Sequence, residues 1–175
     1  MPRRAVRSFI VRIVLLLVMP LFPAAAFAQG TERVGDYGDW SVFRYYENGQ
    51  PTCYMATNPK RDEGNYTQRG DIFAIVTHRP GEGTRDEVSI VAGYSYKKDS
   101  TAELRVGDRK WVLFTDADGA FAADADTDRA IVQAMIKGAT MVVKGASSRG
   151  TATTDTYSLI GVTKAHGAVG KACPK

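Results

Sequence analysis

Two cysteines, two histidines and two tryptophans are all that 175 residues contain. The scarcity of Cys and His, with His78 and His166 far apart and Cys53 distant from Cys173, excludes the closely spaced ligand pairs of a structural zinc module. Neither a Gly-x-Ser-x-Gly elbow nor a His-Glu-x-x-His run is present, so a hydrolase or metalloprotease signature is missing. Long hydrophobic runs are also lacking. The best, Ile13 to Phe22, is interrupted by Pro20 and followed by Pro23, short of the roughly 20 apolar residues that a membrane-spanning helix needs.

That run has a different reading. Arg3, Arg4, Arg7 and Arg12 precede it and Ala26-Phe27-Ala28 follows, the basic, apolar and small-residue order of a cleavable secretory signal. Residues 1–28 are therefore expected to be a signal peptide, and residues 29–175 a single domain in the periplasm. The chain as a whole carries 23 Lys and Arg against 19 Asp and Glu. All four leader arginines leave on cleavage, so the mature part is neutral and has no excess of one sign. Nucleic acid is then not an expected partner, because phosphate binding requires surplus positive charge. Export also places Cys53 and Cys173 where thiols oxidise. A disulfide between them is expected, worth about 4–5 kcal/mol for so long a loop on the chain-entropy model. Two unpaired thiols are the alternative.

What the sequence does have is strand-forming residues in short, regularly punctuated stretches. Trp40–Tyr46, Thr52–Thr57, Ile72–His78, Val88–Tyr96, Ala102–Val106, Lys110–Thr115, Thr140–Lys144 and Thr154–Gly161 read as strands. Val88, Ile90, Ala92, Tyr94 and Tyr96 alternate with smaller or polar residues, the period of a strand with one buried face. Gly107-Asp108 reads as a hairpin turn. One helix is well signalled: Asp124, Asp126 and Asp128 crowd its start, Ile131, Ala134 and Met135 keep helical spacing, and Gly138 is placed to end it left-handed. A weaker one is expected over Val162–Cys173, with Gly167 and Gly170 costing about 1 kcal/mol each. The fold class expected is mainly β, a single antiparallel sandwich or distorted barrel with one or two packed helices.

Few residues point to chemistry. The Asp116–Asp128 stretch fails as a calcium loop, because Arg129 stands where an EF-hand needs Gly and Met135 where it needs Glu; helix capping explains it better. His78 and His166 read as isolated histidines without an identifiable nucleophile or orienting acid. No catalytic residue, metal ligand or cofactor is assigned. Tyr45, Tyr46, Tyr54, Tyr66, Tyr94, Tyr96 and Trp40 load the first half with aromatics, which serve equally as β core or as interface anchors. Tyr45 and Tyr46, with the basic pair Lys97 and Lys98, are the candidates for contact with a partner.

Gly38-Asp39-Trp40-Ser41-Val42, Cys53-Tyr54-Met55, Leu113-Phe114, Ala134-Met135-Ile136-Lys137-Gly138, Met141-Val142-Val143, Tyr157-Ser158-Leu159-Ile160-Gly161 and the terminal Cys173 together resemble the invasion-associated locus B (IalB) family. The resemblance spans residues 38–173. It implies a secreted bacterial envelope protein, linked in some pathogens to host-cell entry, and does not imply an enzyme. Members often carry a cysteine four residues after the Trp, where this chain has Arg44, so its disulfide pattern must differ.

The expected function is that of a non-catalytic envelope protein, free in the periplasm or held peripherally at the outer membrane, that binds a protein or other envelope component. A small hydrolase using His78 is the alternative, with a small-ligand or metal binder as a third. The hydrolase is favoured by a cleft bringing His78 to a hydroxyl or carboxylate, the small-ligand or metal binder by an enclosed pocket.

Overall fold

The structure, a computed structural model, describes residues 30–174; the expected signal peptide over 1–28 lies outside the described residues. Among the described residues, eleven strands form one antiparallel sheet. In chain order they are β1 (Glu32–Tyr37), β2 (Trp40–Glu47), β3 (Gln50–Thr57), β4 (Arg61–Gly64), β5 (Phe73–Arg79), β6 (Thr84–Val91), β7 (Thr101–Val106), β8 (Arg109–Asp116), β9 (Gly119–Phe121), β10 (Thr140–Ala146) and β11 (Ala152–Ser158). Helix α1 (Ala125–Lys137) lies between β9 and β10, and α2 (Val162–Ala172) follows β11.

Spatial order is β1-β2-β3-β5-β6-β9-β8-β7-β10-β11-β4. The chain passes almost directly from β3 near one end of this order to β4 at the other, so the sheet must curl back on itself. Backbone bonds hold the two ends together without closing them into one ladder: Asp39 N–H donates to the Ile160 carbonyl at 3.0 Å and Lys60 N–H to the Thr156 carbonyl at 2.7 Å. Trp40, fully buried, donates its indole N–H to the Ser158 carbonyl at 3.0 Å. The interior contains alternate residues of most strands, among them Val42, Met55, Ile90, Leu104, Leu113, Met141 and Tyr157. The expected mainly β architecture, an open sandwich or distorted barrel with two helices, is what forms.

Local departures have physical causes. The alternation from Val88 persists in burial through Ile90 and Ala92, but the strand ends at Val91 and the following residues form a loop bridged at Tyr96 to Ser147. Strand β6 also begins earlier than its apolar pattern, at Thr84. Short β1, β4 and β9 carry too few apolar residues to be read from sequence. Asp124 caps α1, accepting from Thr127 N–H at 2.8 Å. Gly138 does not turn left-handed: its φ is −92° and its ψ 168°. Glycine is needed there for closeness, since a Cβ would sit 2.5 Å from the Val106 side chain. At Gly161 both demands apply, with φ +96° and a Cβ that would fall on the Tyr37 carbonyl.

Helix α2 overcomes its two glycines by packing. Val162, Ala165 and Val169 are buried against the β1-β2-β3-β5 side of the sheet, and Cys173 just beyond it bonds Cys53 on β3, with Cα atoms 5.8 Å apart.

Candidate functional site

The disulfide leads to the most chemically loaded place in the molecule. Across the β3–β5 ladder, Cys53 is the partner of His78. His78 ends the apolar run of β5 and has no exposed surface. Opposite it, the β5–β6 ladder slips: Thr77 pairs with Glu87 but Arg79 with Thr84, leaving Arg85 and Asp86 to face a single residue. This is a β-bulge, a device that re-aims a side chain. Asp86 occupies the left-handed region at φ 61°, a conformation that costs a non-glycine residue about 1 kcal/mol or more and persists where its surroundings require it.

The strained backbone aims the Asp86 carboxylate at two imidazoles. One oxygen, Oδ1, lies 3.0 Å from His78 Nε2 and 2.6 Å from His166 Nε2. His166 comes from α2, on the turn next to buried Ala165. The two rings meet edge to face with centroids 5.4 Å apart. Hydrogen bonds from His166 and then from His78, outweighing burial, hold the Asp86 pKa far below the usual carboxylate range. Exposure is graded: the side chain of His78 is sealed, that of Asp86 is 16% exposed and that of His166 24%. His78 Nδ1 is buried with no hydrogen-bond partner among the described residues.

Asp86 also borders an open cleft of about 650 Å³ lined by Pro80, Thr84, Asp86, Asp128 and Arg129 among others. Asp128, buried on the first turn of α1, accepts from Val88 N–H at 2.8 Å. Burial, reinforced by the charges of Glu87, Asp124 and Asp86, pushes its pKa up to about 6. Two carboxylates on one cleft thus shift in opposite directions, one held ionised by imidazoles and the other resisting ionisation.

The sequence treats His78 and His166 as unrelated, and nothing local signals that they meet. Asp86 stands in a polar stretch, and its bulge is invisible without the register of β5 against β6. The criterion for His78 beside a carboxylate is met, but its ring has no route to substrate, and among the described residues no Ser or Thr hydroxyl hydrogen-bonds either imidazole.

The residues expected to contact a partner fall in two places. Tyr45 is partly buried, its ring 6.3 Å from Tyr54, which stacks on Phe43 at 5.1 Å. Tyr46 is 40% exposed under the Arg44 guanidinium, and Arg44 pairs with Glu32 at 2.7 Å. Lys97 and Lys98 are exposed on the loop after β6. Tyr45 and Tyr46 lie where β6 begins and the lysines beyond where it ends, so the four residues form no single patch. A more apolar surface escaped the sequence reading. Val112 is 66% exposed and Phe114 49%, two residues apart on the outer side of β8, with Phe121 of β9 5.5 Å from Phe114 between ring centroids. Its signal was present in Trp111-Val112-Leu113-Phe114, a strand with apolar residues on both faces.

A second cleft of about 590 Å³ involves Tyr66, Tyr94, Ser148 and Arg149 around Arg69. The Arg69 guanidinium is occupied internally, forming two bonds of 2.6 and 2.7 Å to buried Asp155 and lying over the rings of Tyr66 and Tyr94.

Comparison with known proteins gives the family of the chain. The family model described as "Invasion associated locus B (IalB) protein" matches residues 40–170. The chain belongs to the IalB family. Among solved structures, it is similar to invasion associated protein B from Bartonella henselae, with a TM-score of 0.51 and 15% identity over 77% of this chain and 92% of that one. At that identity the likeness concerns the fold alone. No curated protein matches the sequence. The β2–β3 core, the disulfide-bearing strand and nearly all of α2 lie within the matched IalB region.

Proposed function

We propose that this IalB-family chain is an exported envelope protein, without catalytic activity, that works by binding a protein partner in the periplasm or at the outer membrane. The observation that carries the reading is the Val112–Phe114 strip, exposed on the outer side of β8 with partly buried Phe121 beside it. Large apolar side chains on an outer sheet face cost solubility unless a surface uses them. Around them Lys110, Glu103 and Arg105 stand at neighbouring register positions on β7 and β8, giving an apolar centre and a polar rim of both signs, the anatomy of a protein interface more than of a lipid-facing surface. The basic, apolar and small-residue leader supports export, and host-cell contact is the finer reading that the family's name suggests.

The test is site-specific photocrosslinking in the native envelope, with the reactive group at position 112 and, as control, at exposed Gln133 on α1. The expected result is a discrete crosslinked species from position 112 alone, lost in Phe114→Ser. If position 112 gives no more product than position 133, the strip is not a docking surface and the binding reading falls. A second reading, general-base catalysis by His166 oriented by Asp86, is favoured by their 2.6 Å contact; it requires hydrolytic turnover that His166→Gln abolishes.

A further inference from the structure

We propose that His78, Asp86 and His166 form a binding site for one divalent transition-metal ion, with Zn²⁺ the representative ligand. Two imidazole nitrogens and one carboxylate oxygen are a donor set that suits zinc and its neighbours, and three protein ligands leave coordination positions open. All three donor atoms lie within 4.8 Å of one another. Zinc bonds of about 2.0–2.2 Å put the ligands of one ion within about 4 Å of each other, so small side-chain movements bring the set to bonding distance.

The scaffold favours this use. Each ligand comes from a different element: β5, the β6 bulge and α2. Strand pairing fixes the first two, and helix packing with the Cys53–Cys173 bond fixes the third. The left-handed backbone at Asp86 is stored strain whose visible product is the convergence of its carboxylate on both rings. A metal ion at His78 Nε2 takes the place of the proton that Asp86 accepts there, the ring proton then being carried by Nδ1. The exposure gradient leaves His166 and Asp86 reachable from solvent and seals the far side with His78. Asp128 lines the same open cleft as Asp86. Asp86 itself carries the charge that two neutral imidazoles leave uncompensated.

The claim is independent of the Val112–Phe114 surface, so either can fail alone. The experiment uses untagged protein, stripped with chelator and dialysed, then titrated with Zn²⁺ by calorimetry and with Co²⁺ by visible absorption. One equivalent of Zn²⁺ is expected to bind and raise the melting temperature, and Co²⁺ is expected to give the d–d bands of a site with nitrogen ligands. His166→Gln and Asp86→Asn should each weaken Zn²⁺ about tenfold or more, the scale on which metal sites respond even to loss of supporting groups. His166 is partly exposed, so His166→Gln should fold. Its circular dichroism, compared with that of the unsubstituted protein without metal, separates ligand loss from misfolding. Absence of stoichiometric binding overturns the proposal. So does Zn²⁺ binding that the folded His166→Gln variant retains at full strength, which would mark an adventitious surface site.

Discussion

Cys53 stands directly across the β3–β5 ladder from His78, and its disulfide partner Cys173 follows the helix that carries His166. One covalent bond therefore fastens the helix that bears His166 to β3, the strand paired with the one that bears His78. Cys53 is also the cross-strand partner of Arg44, the residue in the place where family members often have a cysteine. Here the Cys53 sulfur bonds Cys173, and the arginine pairs with Glu32.

Replacing both cysteines by serine should therefore do two things. Chain-entropy reasoning for a separation of 120 residues predicts a loss of about 2–4 kcal/mol once incomplete recovery of the ideal value is allowed for, seen as a clear drop in melting temperature. The C-terminal turn of α2 should also loosen, read as faster amide hydrogen exchange over Ala168–Ala172 than in β10. An unchanged melting temperature would remove the disulfide as a stabilising element.

The buried ion pair allows a sharper test of packing. Arg69 and Asp155 are 4% and 3% exposed in their side chains and bond bidentately, and the Arg69 Nε–H donates to the Ala92 carbonyl at 2.7 Å. Burial raises the Asp155 pKa while the Arg69 guanidinium pulls it back. Removing one partner strands a desolvated charge, so Arg69→Ala should cost about 3–5 kcal/mol in urea unfolding. Arg69→Met with Asp155→Leu should recover much of that loss, because a buried pair replaced by apolar residues of similar volume is often neutral. Simple additivity of the two single losses in the double variant would contradict this account.

How much of this was legible in the sequence follows from the range of the interactions. The Asp124 cap, the Gly107-Asp108 turn and the Val88–Ile90–Ala92 alternation are set by neighbours within a few residues, and they could be read. Strand β4 is Arg61-Asp62-Glu63-Gly64, a strand only because β11 offers an unpaired edge. Gly138 was legible as a helix end, but the reason for glycine, the Val106 side chain, belongs to tertiary packing. The His78–Asp86–His166 cluster was the least legible of all. It needs the register slip between β5 and β6 and the docking of α2, and neither leaves a trace in local composition. Tyr45 and Tyr46 are level with one end of β6 and Lys97 and Lys98 lie beyond its other end, so residue type alone does not assemble a surface, whereas Val112 and Phe114 make one only once the outer face of β8 is known.

The Val112–Phe114 strip makes a prediction about stability as well as binding. Both side chains point outward from β8, so Val112→Thr with Phe114→Thr removes apolar surface without opening a cavity, and Thr retains strand propensity. Unfolding free energy should change by no more than about 0.5 kcal/mol, the usual range for surface positions, while light scattering at high protein concentration falls. A loss of several kcal/mol would mean that these residues are core in the folded protein, and the docking argument would lose its basis.

Asp128 predicts a pH dependence opposite in sign to that of Asp86. Its folded pKa of about 6 lies above the roughly 3.9 of an unfolded aspartate, so the folded state binds the proton more tightly. Its stabilising contribution is therefore complete below pH 4 and is lost as pH rises from about 4 to about 6. Asp86, with a depressed pKa, contributes stability that is present above the unfolded value and disappears toward strong acid. In Asp128→Asn the amide oxygen can still accept from Val88 N–H, but no charge forms. Two pKa units correspond to about 2.7 kcal/mol, and solvent in the adjoining open cleft should reduce this to about 1 kcal/mol. Measured in chelator, the variant should gain about that much on the unsubstituted protein between pH 4 and pH 7.5. A stability difference that stays flat across this interval would show that Asp128 is ionised at little cost and that its burial against Val88 does not set its charge.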